Sequence, residues 1–323
     1  MLTFLDLCSG IGGGRLGLEL AGFKCIGYSD TSRLAKITYN LMHDTTDEFF
    51  CNNIKKLDKT NTPKCDLIIA GFPCQTFSVI GRKDGFNDKR GQLIFNIVEI
   101  LSFSQPKFFI LENVRGLVTH DKGKTLKTIL LSLEQVGYKV YHDVLTTLDY
   151  DIPQNRKRIY IVGIRNDLVK DNIEFLYPQK INPNIKINDL FYSKKEISEI
   201  NLEYFIKYLN NPINNSKYSL DDILEMNNCI LDTRMNDLRI YKDKMPTLRA
   251  QRDGIYYVQN KKLYQLTGAE ALLYQGFPVE KIKLVDGIVS DRHLLMQSGN
   301  AMSVNVIKQL GLSIKKYLED SSK

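Results

Sequence analysis

Asp6-Leu7-Cys8-Ser9-Gly10-Ile11-Gly12-Gly13-Gly14 closes an apolar run that begins at Leu2 and opens a helical pattern that reaches Gly22. A strand, a glycine-rich turn and a helix in that order form the first half of a βαβ unit, whose helix amino terminus offers backbone amides to a ligand. Glycines let the backbone pass close to that ligand. A dinucleotide phosphate fingerprint would need glycine where Arg15 stands, which disfavours NAD. Taken alone, the loop fits a nucleoside cofactor site or a plain tight turn. Asp30, at the end of the following strand, is placed to accept hydrogen bonds from ribose hydroxyls.

Outward from this loop the alternation of apolar runs and helical patterns continues. Strands are expected at Lys24 to Tyr28, Leu67 to Ala70 and Lys107 to Leu111, and helices at Thr31 to Met42, Leu93 to Phe103 and Leu126 to Val136. Two further apolar runs, Tyr138 to Leu148 and Arg158 to Ile164, are joined by a short turn containing Pro153. Such a connection favours an antiparallel pair, so the sheet should be mixed at one edge. After Pro178 the sequence becomes rich in Asn, Ile, Lys and Tyr without clear periodicity. The domains are therefore drawn as 1–176, a smaller domain at 177–262, and a C-terminal segment, 263–323, that returns to the first and carries an amphipathic helix from Val304 to Leu318.

The 323 residues suffice for a full core without disulfide or metal staples. Six cysteines form no Cys-x-x-Cys pair and only four histidines accompany them, so no metal site is expected. No apolar run is long enough to span a bilayer and no charged leader precedes the first strand, so the expected location is cytoplasmic, with no membrane partner. Lysine and arginine (44) exceed aspartate and glutamate (37), a net charge of +7. Much of the excess lies at Arg234, Arg239, Lys242, Lys244, Arg249, Arg252, Lys261 and Lys262, either a solvated face or a surface for nucleic-acid phosphates.

Three stretches carry chemistry. In Gly71-Phe72-Pro73-Cys74-Gln75-Thr76-Phe77-Ser78 a cysteine follows a buried strand at its carboxyl end, where open α/β sheets bind ligands. Glu112-Asn113-Val114 ends the next predicted strand and would bring a carboxyl beside Cys74 if the two strands are neighbours. In Gln154-Asn155-Arg156-Lys157-Arg158 alternation sends Gln154, Arg156 and Arg158 to one face, costly inside a protein unless they meet acids or a polar ligand.

With Gln275-Gly276-Phe277-Pro278 and Gly299-Asn300, these stretches resemble the cytosine-C5 DNA methyltransferase family, in the family's order and at its separations from Leu2 to about Val306. The resemblance implies an α/β fold, the Rossmann-like mixed sheet of S-adenosylmethionine-dependent methyltransferases, with a smaller target-recognition domain in the poorly patterned region. It implies Cys74 as the nucleophile that adds to carbon 6 of cytosine, Glu112 at ring nitrogen 3, Arg156 on the base's carbonyl oxygen and Arg158 as a brace. For the cofactor S-adenosylmethionine it implies Asp6, Cys8, Gly10, Gly12, Gly13, Asp30, Asn53, Ile54, Pro73, Leu93, Asn300 and Ala301. For double-stranded DNA it implies Gln75, Ser78, Arg82, Arg249 and Arg252, with the loop from Thr76 to Arg90 as a lid over a flipped nucleotide.

Several positions depart from the family pattern. Cys8 replaces an aromatic, Gly14 a phenylalanine, Asp30 a glutamate and Asn53 an aspartate, and Ala271 to Tyr274 lacks an arginine expected near Glu270. The expected protein is a monomeric DNA methyltransferase, solitary or accompanied by a cognate restriction endonuclease acting separately. A tRNA methyltransferase and a non-catalytic DNA-binding relative are the alternatives.

Overall fold

In the computed structural model, which describes residues 1–57, 62–72, 92–181, 184–193, 195–215, 217–226, 228–250 and 254–322, the apolar runs of the first half become one seven-stranded sheet. Its strands are β1 (Thr3–Leu7), β2 (Lys24–Ser29), β3 (Phe49–Cys51), β4 (Leu67–Gly71), β5 (Phe108–Val114), β6 (Tyr138–Thr146) and β7 (Lys157–Arg165), in the order β3-β2-β1-β4-β5-β7-β6. The first five pair in parallel, and β7 runs antiparallel to both β5 and β6, which is the mixed edge expected from the short turn. Helices α1 (Gly13–Leu20), α2 (Arg33–Met42), α3 (Gln92–Ser104) and α4 (Lys124–Gln135) complete the alternation. Phe4, Leu5, Leu67 to Ala70 and Phe108 to Leu111 have no exposed surface, so these central strands read as unbroken apolar runs. The three residues of β3, all half-buried, are too few to show a period.

The chain divides into two units, Met1–Thr146 with Lys157–Lys180 and Ala301–Lys323, and Thr147–Arg156 with Ile181–Asn300. The second unit contains α5 (Glu199–Leu209), α6 (Leu220–Glu225), β8 (Cys229–Thr233), β9 (Leu238–Tyr241), β10 (Ile255–Gln259), β11 (Lys262–Gln265), α7 (Gly268–Leu273), α8 (Val279–Ile282) and α9 (Asp291–Asn300). Its strands form an antiparallel sheet, β11-β10-β8-β9. Along β8, Cys229 and Leu231 enter a cluster with Phe205 and Ile223, while Ile230 enters another with Tyr257 and Tyr274. Both faces are thus covered, and strands of four or five residues with two apolar faces leave no alternation to read.

Helix α10 (Val304–Ser321) belongs to the first unit and lies against α1. At Gly17 a Cβ would stand 2.7 Å from the Val304 carbonyl oxygen and 2.6 Å from Ile307 Cβ, so only glycine permits this approach. No described helix is long and apolar enough to cross a membrane.

Arg15, where a dinucleotide fingerprint would have glycine, is a buried hub of the first unit. Its Nε donates to Glu19 at 2.8 Å, its two terminal nitrogens donate to the Glu48 carboxylate at 2.8 and 2.9 Å, and one of them also reaches the Asp44 carbonyl at 2.9 Å. The fork geometry suits a bidentate carboxylate partner. Arg15→Ala should cost about 3 kcal/mol, the lower end for a broken buried pair, because Glu19 retains 32% exposure of its side chain. Urea denaturation measures this, and a loss below about 0.5 kcal/mol would mark the network as effectively solvated.

Candidate active site

The carboxyl end of β1 turns into α1 through a loop held from below by β2. Cys8 takes a left-handed conformation (φ 53°), Ser9 N donates to the Ser29 carbonyl at 2.9 Å, and Gly10 N donates to Asp30 Oδ2 at 2.8 Å. The other Asp30 oxygen accepts from Ser32 N at 2.7 Å. A Cβ on Gly12 would strike His43 Nε2 at 2.3 Å and one on Gly13 the Met302 carbonyl at 2.3 Å, whereas a Cβ on Gly10 would meet nothing within 4 Å. Gly12 and Gly13 therefore serve internal packing, and Gly10 is the glycine that borders open space.

Cys8 and Leu93 pack against the apolar cluster that contains buried Ile54 and Phe72. The Asn53 side-chain oxygen accepts from Lys55 N at 3.0 Å and so caps a short turn; its second lone pair is what it can offer a ligand. Ala301 is buried in the first unit, and Asn300 is exposed at the end of α9 in the second. Pro73, Cys74, Gln75, Ser78, Arg82, Arg252 and the Thr76 to Arg90 lid lie outside the described residues.

Asp6 lies beneath the loop with no exposed surface. Tyr39 OH donates to its Oδ2 at 3.4 Å, and Oδ1 has no partner among the described residues. Burial pushes the carboxyl up to about 8, against the opposing pull of Arg15 and the Tyr39 hydrogen bond. The folded state then binds more protons than the unfolded one between the ordinary carboxyl value of 3.8 and about 8, so the contribution of Asp6 to stability is full below that window and is lost as pH rises through it. Asp6→Asn cannot titrate, so the melting temperature of the variant relative to wild type should climb from about pH 4 to about pH 8. A difference that stays constant across that range would mean that Asp6 is ionised throughout.

Strands β4 and β5 are neighbours, with Gly71 opposite Glu112, which meets the condition for bringing this carboxyl to the strand end that leads into Pro73 and Cys74. Asn113 Nδ2 donates to the Phe72 carbonyl at 3.0 Å and ties down the start of that segment, a role the sequence did not reveal. On the other side of β5, Val114 pairs with Arg158, and Arg158 Nε lies 3.0 Å from Glu112 Oε1, with both side chains largely buried.

Arg156 is engaged differently from what the sequence led us to expect. It is 2% exposed, and its terminal nitrogens donate to the carbonyls of Leu248 and Gly299, each at 3.2 Å. Gln154 donates to the Tyr274 carbonyl at 2.5 Å and accepts from Leu248 N at 3.1 Å. Backbone groups of the second unit engage Gln154 and the terminal nitrogens of Arg156, and within the first unit it is Arg158 that pairs with Glu112. Buried Glu270, in place of an arginine brace, takes neutral donors: Ser193 N at 3.0 Å, Tyr257 OH at 2.8 Å and Thr267 N at 2.9 Å.

The basic stretch is partly neutralised within the second unit. Arg234 pairs with Asp232, Arg239 with Asp237, Lys261 with Glu225 and Lys262 with Glu196. Among the described residues no ion pair involves Lys242, Lys244 or Arg249, which leaves these as the candidate phosphate contacts.

Residues 2–316 match the family model of C-5 cytosine-specific DNA methylases. The chain is 36% identical over 318 residues to the type II methyltransferase M.NgoBI of Neisseria gonorrhoeae, covering 95% of this chain and 91% of that protein. It is 36% identical over 322 residues to the type II methyltransferase M.NlaX of Neisseria lactamica, covering 98% and 97%. Among solved structures, a prophage-encoded DNA modification methyltransferase of E. coli is similar with a TM-score of 0.70 and 21% identity, covering 99% of this chain and all of that one, a likeness of fold.

Proposed function

We propose how the residues of this chain divide the methylation of carbon 5 of cytosine in DNA, from the premise that the chain belongs to the C-5 cytosine-specific DNA methylase family. The observation that carries the proposal is the Glu112–Arg158 pair, held between β5 and β7 at the strand end next to the one that leads to Cys74. A stacked base exposes neither ring face to a thiolate, so the target cytosine is flipped out of the duplex. The Cys74 thiolate adds to carbon 6 and turns the ring into an enamine. Glu112 holds ring nitrogen 3 with its proton, and Arg158 donates to the neighbouring carbonyl oxygen, which withdraws electrons as the sulfur bonds. Carbon 5 then takes the methyl group, its proton passes to a water molecule acting as base, and the carbon–sulfur bond breaks to return the thiolate. Arg156, engaged by carbonyls within the second unit, does not touch the base.

S-Adenosylmethionine, when bound, supplies an electrophilic methyl on a sulfonium. The residues fit it: Gly10 borders open space, each Asp30 oxygen retains a lone pair for a ribose hydroxyl, and Cys8, Ile54 and Leu93 share one apolar cluster. The duplex is bound by a monomer, through phosphates at Lys242, Lys244, Arg249 and Arg252. Any restriction endonuclease acts as a separate protein. The family description names DNA, so the tRNA alternative is set aside.

Bisulfite sequencing of DNA from cells expressing the protein should show protected cytosines within one recurring short sequence, and none with Cys74→Ala. Unprotected DNA in the presence of bound S-adenosylmethionine would favour a non-catalytic relative. Glu112→Gln keeps the shape and should lower turnover by about 10²–10⁴ with cofactor affinity unchanged; equal loss of both would make Glu112 structural. Both variants should lower the melting temperature, Arg158→Ala because it leaves the largely buried Glu112 unpaired, but at a temperature where each is folded Arg158→Ala should lose more turnover than Arg156→Ala. The reverse pattern would restore the base contact to Arg156.

A further inference from the structure

The β8–β9 hairpin holds a buried charge pair that the methyl transfer does not use. Asp232 is 1% exposed, and its Oδ2 lies 2.6 Å from a terminal nitrogen of Arg234, whose side chain retains 20% exposure. Burying an acid with a guanidinium costs desolvation that an apolar pair would avoid, so stability alone does not account for the pair. What the pair does provide is a guanidinium anchored at one terminal nitrogen by a buried carboxylate.

The backbone around it is equally fixed. Arg234 N donates to the Asp237 carbonyl at 3.0 Å and to Tyr208 OH at 3.1 Å. Thr233 N and Oγ1 both donate to the Gly254 carbonyl, at 3.0 and 2.9 Å, which ties the hairpin base to the segment running back to Arg249. Beyond that base the turn projects, and Met235 is 88% exposed. Arg239, opposite Asp232 in the register, turns instead to Asp237 at 3.1 Å. Two arginines thus stand against two aspartates, and the hairpin offers no local excess of charge to attract phosphates. It offers the terminal end of the guanidinium, since Arg234 Nε is itself buried.

We propose that Arg234, oriented by Asp232, reads a guanine of the target sequence. The inference rests on the DNA methylase reading above. An arginine fork matches the O6 and N7 acceptors that guanine presents in the major groove, a pattern no other base shares, and holding the fork rigid sharpens the match. A phosphate contact needs charge and would gain nothing from a buried carboxylate that cancels it.

The test begins with the target duplex found by bisulfite sequencing of DNA methylated by the wild type, each guanine being replaced in turn by 7-deazaguanine, which lacks the N7 acceptor. One replacement should weaken wild-type binding by about 5- to 100-fold, the worth of a good base contact. Arg234→Ala should lose a similar factor on the unmodified target, be insensitive to that same replacement, and bind an unrelated duplex as the wild type does. Asp232→Asn, which keeps the shape and releases the fork, should lose part of that factor. Equal weakening of Arg234→Ala on target and unrelated duplexes, undiminished affinity for the target, or a wild type indifferent to every replacement would each overturn the proposal. If thermal denaturation shows Arg234→Ala misfolded, Arg234→Lys carries the same expectation, because lysine retains the charge without the fork. A wild type that protects no cytosine would instead overturn the function itself.

Discussion

Glu112 sits where two strand registers meet, opposite Gly71 of a parallel neighbour and opposite Tyr160 of an antiparallel one. Hydrogen bonding on both sides of β5 leaves this carboxyl little freedom of position, and the same strand ties down Phe72 through Asn113 and faces Arg158 through the next partner. A one-residue slip in either register would send Glu112 to the other face of the sheet and separate it from Arg158. The parallel run β1 to β5 aligns carboxyl ends, so the Gly10 loop, Asp30 and Glu112 all emerge at one edge. Reversal at β7 is what lets a residue near the start of that strand, Arg158, reach the same edge.

Three buried long polar side chains of the second unit, Gln154, Arg156 and Glu270, meet main-chain groups and neutral side chains rather than opposite charges. Gln154 and Arg156 spend their donors on Tyr274, Leu248 and Gly299, and Glu270 takes its protons from an amide, a phenol and a capping threonine. Such partners fix direction as well as distance, and leaving them unmet would cost the full desolvation of each group. The absence of an arginine near Glu270 is therefore a change of donor and not a vacancy.

The sheet of the first unit was legible because its central strands are buried on both faces and its helices are long enough to show their period. The placement of Glu112 was legible on the condition that two strands were neighbours. That Arg156 and Arg158 meet different partners was not, because alternation says nothing of partners 92 and 143 residues away. The second unit was opaque because its strands, which also face apolar clusters on both sides, run only four or five residues and carry Asp232, Arg239 and Tyr241 within them. Cys74, the nucleophile that the resemblance implies, lies outside the described residues.

The ten residues from Thr147 to Arg156 belong to the second unit, although the strands before and after them belong to the first. The chain therefore passes from one unit to the other and back within a single connection, and neither can be cut out as one continuous piece. Contacts from this excursion close loops of 120 residues at Tyr274 and 143 at Gly299. Closing loops of that length costs entropy before any contact repays it, which raises contact order and slows folding. The nascent chain makes β6, β7 and the strands of the second unit before Tyr274 and Gly299 exist, so Gln154 and Arg156 must wait for nearly the whole sequence to be synthesised before their partners arrive.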